Sequence, residues 1–196
     1  MGAALQLVED TEKLPVVLAE VRKLRTRKPH VTHNSGNNEW YTPAAIINVA
    51  RQVMGGIDLD PASCIEANAV VKAKRFYSVE DNGLAQEWHG RVWLNPPYGR
   101  KLITPFITKL VAEWEAGHLS QACCLTNNAT ETAWGQLLLH HATLVCFLNG
   151  RVKFWAPGRT TKAPVQGQML VYFGPVTSGF EALGTVLQQS RQGGAP

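Results

Sequence analysis

Two periods of hydrophobic and polar positions alternate along the chain, which predicts alternating helices and strands. Apolar residues recur at helical spacing over residues 46–53. Thr42-Pro43, a capping residue followed by proline, predicts the start of this helix, and Gly55-Gly56 predicts its end. Thr104-Pro105 predicts a second helix in the same way, and a third helix is expected from about residue 130.

Six short apolar segments predict β-strands. Their sequences are GIDLD, RVWLN, QACCLT, TLVCFLN, RVKFWA and QMLVYFG. Apolar strands separated by helices are typical of a mostly parallel sheet covered on both faces. The last three segments follow one another without a helix, which predicts an antiparallel hairpin or meander at the C-terminal end. We therefore expect an α/β fold.

The pattern predicts one domain over residues 39–180, with a hairpin around residues 150–168. The chain of 196 residues is long enough for a single core. Residues 1–38 are expected to form a basic, weakly ordered arm, because the stretch HVTHNSGNN is polar and rich in turn formers. Residues 181–196 are expected to form a tail, with a short helix after Gly179 and a frayed end.

Composition narrows the class of protein. Hydrophobic residues make up 45% of the chain and charged residues 17%, which is typical of a globular protein. No apolar run approaches the roughly 18 residues that cross a bilayer. The start of the chain lacks the pattern of a signal peptide, so we expect a cytoplasmic protein. The four cysteines form no C-x-x-C pair, and we expect neither a disulfide nor a metal site.

The charge of the chain is unevenly distributed. Its net charge is +4, and basic residues crowd into residues 22–28 and 151–162. Such clusters suit a phosphate backbone, although a solvated surface can carry the same residues. Charge therefore supports a nucleic-acid partner without proving one.

The strongest chemical signal is Asn95-Pro96-Pro97-Tyr98. It follows the predicted strand RVWL, and open α/β sheets bind ligands at the carboxyl ends of their strands. The Asn95 side-chain oxygen and a carbonyl of the Pro96-Pro97 segment can accept hydrogen bonds from the N6 amino group of adenine. Tyr98 can stack on a base rotated out of the duplex. The alternative is a turn that ends a strand, which two prolines also favour.

The chain resembles the phage-type DNA N6-adenine methyltransferases, the Dam-like family, from about Asn38 to Gly174. The resemblance depends on five segments in the expected order. They are Trp40-Tyr41-Thr42-Pro43, Asp58-Leu59-Asp60-Pro61-Ala62-Ser63, Glu80-Asp81-Asn82-Gly83-Leu84, Asn95-Pro96-Pro97-Tyr98 and Asn149-Gly150-Arg151-Val152-Lys153-Phe154. The resemblance implies a Rossmann-like methyltransferase fold, S-adenosyl-L-methionine as methyl donor, double-stranded DNA as partner, and a phage or prophage protein that protects DNA from restriction in a bacterial host.

The resemblance also assigns residues to the methyl donor. The segment Trp40-Tyr41-Thr42-Pro43 would bind the methionine end, since a helix N-terminus attracts a carboxylate, although Thr42 can also be a simple helix cap.

A second donor segment follows the first predicted strand. We expect only one of Asp58 and Asp60 to face the donor, and Asp60 lies nearer the carboxyl end of this strand. We therefore assign Asp60, with Pro61 and Ala62, to the donor, and Asp58 to a structural ion pair or cap. DLDPAS lacks the usual G-x-G turn, so this assignment depends on the resemblance.

A third segment concerns the adenine amino group of the donor. Asp81 or Asn82 would contact it, and an ordinary loop turn at D-N-G is the alternative.

Recognition of DNA is assigned to basic residues outside the catalytic segment. The stretch between Pro61 and Asn95 is too short for a DNA-reading insertion. The segment from Arg151 to Gln168 combines basic, aromatic and glutamine residues that can position phosphates and read base edges, although a solvent-exposed hairpin loop has the same composition. The candidate DNA-binding residues are Arg100, Lys101, Arg151, Lys153, Arg159 and Lys162.

Two other functions fit the same pattern. N-P-P-Y also occurs in enzymes that methylate glutamine side chains of proteins, and related motifs serve cytosine N4, so the motif does not separate these planar amino acceptors. The other alternative is a DNA-binding protein with an inactive methyltransferase fold, which the altered donor segment supports. The recognised DNA sequence and the oligomeric state stay open.

Overall fold

The computed structural model describes residues 40–99, 102–158 and 166–188. Its strands are β1 (Leu59–Asp60), β2 (Arg75–Phe76), β3 (Gly90–Leu94), β4 (Leu119–Asn127), β5 (Leu144–Leu148), β6 (Gln168–Phe173) and β7 (Gly184–Gln188). Its α-helices are α1 (Ala44–Met54), α2 (Ile65–Val71), α3 (Ile103–Glu115) and α4 (Ala133–His141), and Phe180–Ala182 form a 3-10 helix. The predicted arm over residues 1–38 lies outside the described residues.

The described strands form one sheet in the order β2-β1-β3-β4-β6-β5-β7. Strands β2, β1, β3 and β4 pair in parallel. Strand β6 lies antiparallel between β4 and β5, and β7 pairs antiparallel with β5. The predicted α/β fold, with a mostly parallel sheet and an antiparallel C-terminal part, is confirmed.

Alternating side chains divide the core between the two faces of the sheet. On β3, Trp93 packs on the face that α1 covers, whereas Leu94 packs on the face that α3 and α4 cover. On β4, Cys123 and Cys124 make the same division, and both are fully buried. The apolar runs that predicted these strands therefore result from burial on both faces.

The helix ends agree with the sequence pattern at one end and differ at the other. Gly55 ends α1 in the left-handed conformation, with φ of 71°, as predicted. The residue that caps the start of α1 is Pro43 and not Thr42, because the helix begins one residue later than predicted. Helix α3 begins at Ile103, so Pro105 lies inside its first turn, where a missing N–H costs no intrahelical bond.

The segment RVKFWA is not a strand of the sheet, so one of the six predicted strands is wrong. Val152, Phe154 and Ala156 are buried and alternate with more exposed residues, as in a strand. Its backbone, however, makes only an isolated bridge in the described structure, between Trp155 and Tyr41. Strand β6 pairs with β4 on one side and with β5 on the other, and not with this segment.

Three elements have no counterpart in the sequence prediction. Helix α2 is short and is capped at its start by Cys64, whose Sγ accepts a hydrogen bond from the Ala67 N–H over 3.4 Å. Strand β2 has two residues that pair with β1. Strand β7 follows the 3-10 helix in the segment predicted as a tail, so that segment completes the sheet through β5.

Among the described residues, no helix is long and apolar enough to span a membrane.

An ion pair joins the amino ends of β1 and β3 to the end of α1. The Asp58 carboxylate accepts hydrogen bonds from Arg91 Nε over 2.8 Å and Nη2 over 3.0 Å, and Lys74 Nζ lies 2.8 Å away. Arg91 Nη1 also donates to the carbonyls of Met54 and Gly55. These cations hold the pKa of Asp58 well below its usual range, so the carboxylate is ionised and structural.

We expect Arg91→Met to lower the free energy of unfolding by about 2 kcal/mol, because Asp58 and two carbonyls lose donors. Urea unfolding at pH 7 measures this change. Arg75→Met, on exposed β2, is the control and should change stability by less than about 0.5 kcal/mol. Since the pKa of Asp58 is lowered by folding, the difference should shrink as the pH falls below about 4. Equal stability of the Arg91 and Arg75 variants would contradict this role.

Candidate active site

A cleft of about 680 Å³ opens beside the carboxyl ends of β1 and β3. Its wall comes mainly from four segments, which are residues 40–42, 60–64, 78–84 and 95–98. Each segment follows a strand or precedes a helix, which is the usual place of a ligand site in an open α/β sheet. A cavity of this volume is typical of a small-molecule site.

Most of the residues predicted from the sequence meet in this cleft. Those that line it are Trp40, Tyr41, Thr42, Asp60, Pro61, Ala62, Asn82, Asn95, Pro96, Pro97 and Tyr98. Pro43 caps α1, and Asp81 turns to Ser78, so neither is part of the lining. Arg151 and Lys153 are exposed on the segment 150–158. Arg100, Lys101, Arg159 and Lys162 lie outside the described residues.

Asp60 is a buried acid at the carboxyl end of β1. It is only 3% exposed, and its Oδ1 accepts a hydrogen bond from the Ala62 N–H over 3.2 Å. Burial raises the pKa of Asp60 to about 7, because removal from water disfavours the carboxylate. Residues two apart on a strand share a face, so alternation does not separate Asp58 from Asp60. They differ in their surroundings, since Asp58 lies just before β1 and pairs with Arg91 and Lys74, whereas Asp60 is buried beside the cleft.

Asn95 lies just after β3, with its amide held at one end. Its Nδ2 donates to the Trp40 carbonyl over 3.1 Å. Its Oδ1 is buried and accepts no hydrogen bond from any described residue. A buried acceptor without a partner points to a donor that arrives with a ligand.

Tyr98 forms a further part of the wall. Its hydroxyl donates to the Leu125 carbonyl on β4 over 3.2 Å, which fixes the ring beside the cleft. Burial raises the pKa of Tyr98 well above its usual range, so the hydroxyl stays neutral. The ring can therefore offer an apolar face.

Two further hydroxyl oxygens at the cleft are buried. Thr42 Oγ1 makes no hydrogen bond within the described part of the chain. Ser63 Oγ lies beside the Asp60 carboxylate and lowers the pKa of that acid against the effect of burial. Thr42 Oγ1 and Asn95 Oδ1 are therefore two unsatisfied oxygens in residues that line one cleft. This concentration distinguishes the cleft from an ordinary surface groove, because buried polar atoms are normally paired.

The sequence of the chain is similar to that of DNA N-6-adenine-methyltransferases. Residues 30–193 match the model of the family described as DNA N-6-adenine-methyltransferase (Dam). The chain belongs to this family. It is 31% identical over 149 residues to the DNA N-6-adenine-methyltransferase of Haemophilus phage HP1 (strain HP1c1), which covers 74% of this chain and 83% of that protein. It is 38% identical over 97 residues to the DNA N-6-adenine-methyltransferase of Escherichia phage T1, which covers 48% of this chain and 38% of that protein.

The predicted family, and with it the predicted enzyme class of DNA adenine-N6 methyltransferase, is confirmed. The described residues contain no cluster of three or more side chains suited to a metal ion.

In this Dam-family protein, the loop at residues 78–84 is held against the Asp60 segment. Asp81 accepts hydrogen bonds from the N–H and the hydroxyl of Ser78, both over 2.8 Å, and so closes a turn. Asn82 has φ of 53° and lines the cleft. The Gly83 carbonyl accepts a hydrogen bond from Trp88 Nε1 over 2.8 Å. The sequence analysis did not identify Trp88 as a residue that holds this loop.

We expect Gly83→Ala to disturb the packing of the loop at residues 78–84 against the Asp60 segment, because the added methyl group would overlap the Pro61 carbonyl oxygen. The loss should be about 2 kcal/mol, which lowers the melting temperature by about 4–8 °C in a domain of this size. Differential scanning calorimetry measures the change. Gly150→Ala is the control, since nothing lies within 4 Å of its added methyl group. Indistinguishable melting temperatures would show that the loop does not need glycine here.

Proposed function

We propose that this protein transfers the methyl group of S-adenosyl-L-methionine to N6 of adenine in double-stranded DNA, with the target base taken into the cleft at Asn95-Pro96-Pro97-Tyr98. The observation that carries the proposal is the unpartnered Asn95 Oδ1 in the same cleft as the buried Asp60. Family membership supports the reaction class. Because both relatives are phage proteins, we also propose action on DNA inside a bacterial host, as a phage or prophage protection against restriction.

The residues of the cleft fit this methyl donor. Asp60 offers a carboxylate to the ammonium group or the ribose hydroxyls, with Pro61 and Ala62 beside it. Thr42 Oγ1 offers an unused hydrogen-bonding group, and the Ser63 hydroxyl lies beside Asp60. When bound, S-adenosylmethionine supplies a methyl group on a positively charged sulfur.

Two other segments complete the proposed donor site. The start of α1, after Trp40-Tyr41-Thr42-Pro43, presents N–H groups that have no intrahelical partner and so attract a carboxylate. Asn82 lies in the wall where an amino group of the donor could be bound, and Asp81 holds its turn.

The acceptor side depends on Asn95 and a neighbouring carbonyl. Adenine N6 is a weak nucleophile because its lone pair is delocalised into the ring. Asn95 Oδ1 and the carbonyl of Pro96 or Pro97 accept hydrogen bonds from the two N6 hydrogens. These bonds favour a tetrahedral nitrogen whose lone pair can attack. The Tyr98 ring stacks on the base and holds it in line. The proton leaves after transfer, so no strongly basic side chain is needed. Since Oδ1 is covered before the base arrives, the wall must part as the base enters.

DNA contacts are proposed for the segment 150–158 and its neighbours. Exposed Arg151 and Lys153 alternate with buried Val152 and Phe154, so the apolar side chains anchor the segment while the basic ones face outward. Basic side chains on an anchored segment suit a phosphate backbone. Arg100, Lys101, Arg159 and Lys162, which lie outside the described residues, are proposed as further contacts to DNA phosphates.

We expect Asn95→Ala to abolish turnover, by about 10³-fold or more, because it loses the acceptor for the target amino group. The affinity for S-adenosylmethionine should stay within about twofold of wild type, since the Trp40-Tyr41 segment loses the Asn95 contact but keeps its two backbone hydrogen bonds with Trp155. Transfer of labelled methyl groups to unmethylated double-stranded DNA, followed by nucleoside analysis, measures turnover and the methylated base. Asn48→Ala, an exposed asparagine on α1, is the matched control and should behave as wild type.

Normal turnover by the Asn95→Ala variant would overturn this mechanism. Label in N4-methylcytosine, or in a protein acceptor instead of DNA, would overturn the assignment to adenine. DNA binding without donor binding would identify an inactive methyltransferase fold.

Donor affinity should depend on pH through Asp60. Because the pKa of Asp60 is raised to about 7, protons compete with the donor below that pH, and the affinity should weaken by up to about tenfold for each pH unit. Calorimetric titration with S-adenosylmethionine between pH 5 and pH 7 measures this slope. Asp60→Asn should bind weakly with little dependence on pH. An affinity of the wild type that is constant over this range would show that ionised Asp60 does not bind the donor.

A further inference from the structure

The orientation of the Asn95 amide is determined by a backbone group. A carbonyl oxygen can only accept a hydrogen bond, so the Trp40 carbonyl, 3.1 Å from Asn95 Nδ2, selects the amide nitrogen and leaves the amide oxygen without a partner among the described residues. If the amide rotated by 180°, two oxygens would face each other and the nitrogen would take the place of the proposed acceptor.

The Trp40 carbonyl is itself held by contacts with Trp155. Tyr41 N donates to the Trp155 carbonyl over 2.8 Å, and Trp155 N donates to the Tyr41 carbonyl over 3.0 Å. The two rings meet edge to face, with centroids 5.1 Å apart. Trp155 Nε1 also donates to the Thr42 carbonyl over 3.3 Å. We call this set of contacts the Tyr41–Trp155 bridge.

The bridge joins the active site to the basic segment 150–158. Buried Phe154 and Ala156 flank Trp155 and fix its backbone in the core. The Val152 N–H donates to Gln168 Oε1 over 3.0 Å, which ties the same segment to β6. Lys153, two residues before Trp155, is exposed. The segment is therefore anchored on one side and accessible on the other, and its Trp155 contacts Tyr41, the neighbour of the residue whose carbonyl accepts from Asn95.

We propose that the Trp40 carbonyl, held by the Tyr41–Trp155 bridge, sets the Asn95 amide with its oxygen toward the acceptor base, and that Trp155 is a positioning residue for methyl transfer. This inference rests on the proposed function of Asn95. It also specifies why position 95 carries asparagine: a carboxylate has no hydrogen to donate to the Trp40 carbonyl, whereas the amide donates from one end and accepts at the other.

Asn95→Asp tests the role of the Trp40 carbonyl. A protonated carboxyl can donate to that carbonyl and still accept with its other oxygen, whereas a carboxylate would repel it. The ratio of the kcat of Asn95→Asp to that of wild type should therefore fall at least about tenfold as the pH rises from 6 to 9. Saturating donor and DNA remove the effect of donor affinity. Division by wild-type kcat corrects for the other ionisable residues that line the cleft, namely Tyr41, Asp60, Cys64, Glu66, Glu80 and Tyr98.

Trp155 variants test the bridge. Trp155→Ala should lower kcat about tenfold, with the affinity for S-adenosylmethionine within about threefold of wild type, because the carbonyl that orients Asn95 becomes less fixed. Trp155→Phe keeps a ring against Tyr41 and should recover most of the loss. Trp114→Ala removes a tryptophan that packs on Phe173, away from the cleft, and controls for lost core packing. It should leave kcat near that of wild type at a temperature where all variants are folded.

The outcomes separate this inference from the function on which it rests. If wild type transfers no methyl group to adenine, the proposed function fails. If wild type is active, a constant or rising kcat ratio for Asn95→Asp overturns the role of the Trp40 carbonyl, as does a variant that is inactive even at pH 6. Unchanged kcat for Trp155→Ala, or a loss that Trp155→Phe does not recover, overturns the role of Trp155. The Asn95→Asp test holds even where Trp155→Ala fails to fold.

Discussion

The parallel pairing of β1 with β3 is the constraint on which the site depends. Leu59 lies opposite Val92, so the carboxyl ends of the two strands reach the same edge of the sheet and bring Asp60 and Asn95 to one cleft. At the other end of the same strands, Asp58 and Arg91 form their ion pair. One pair of strands therefore separates the polar residues, with a structural ion pair at the amino ends and the residues of the candidate site at the carboxyl ends.

The cleft is built at a cost to stability that the core offsets. Each buried polar atom without a hydrogen bond destabilises a fold by about 1–3 kcal/mol, and two such oxygens, Thr42 Oγ1 and Asn95 Oδ1, belong to residues of the cleft wall. Burial of Asp60 adds to this cost above its raised pKa. Strands β3, β4 and β6 carry apolar side chains into both faces of the sheet, which allows the site to remain unsatisfied until ligands supply the missing partners.

The sequence predicts the parts of the fold that depend on local pattern. Burial on both faces makes β3, β4 and β6 continuous apolar runs, and Gly55 marks the end of α1 because glycine readily adopts the left-handed conformation. Strands β2 and β7 carry no such pattern, since they lie at the edges of the sheet and are partly exposed. The segment RVKFWA has the alternation of a strand, and its Val152 and Phe154 are buried. Its backbone nevertheless forms no β-ladder, only the isolated bridge at Trp155. The pattern of apolar and polar residues therefore predicts which side chains are buried. It does not predict which segments form hydrogen-bonded strand pairs, because that depends on which strand lies next to them in the fold.

The candidate site divides in the same way. Its residue types are visible in the sequence, because N-P-P-Y and DLDPAS each follow a predicted strand and parallel strands align their carboxyl ends. Its partners are not visible, since Asn95 is paired with a residue 55 positions away and Trp155 with one 113 positions away. The partner of Asn95 is moreover a backbone carbonyl, which every residue type at position 40 would supply. No sequence motif can report such a contact, so the orientation of the amide on which the proposed chemistry depends becomes apparent only from the fold.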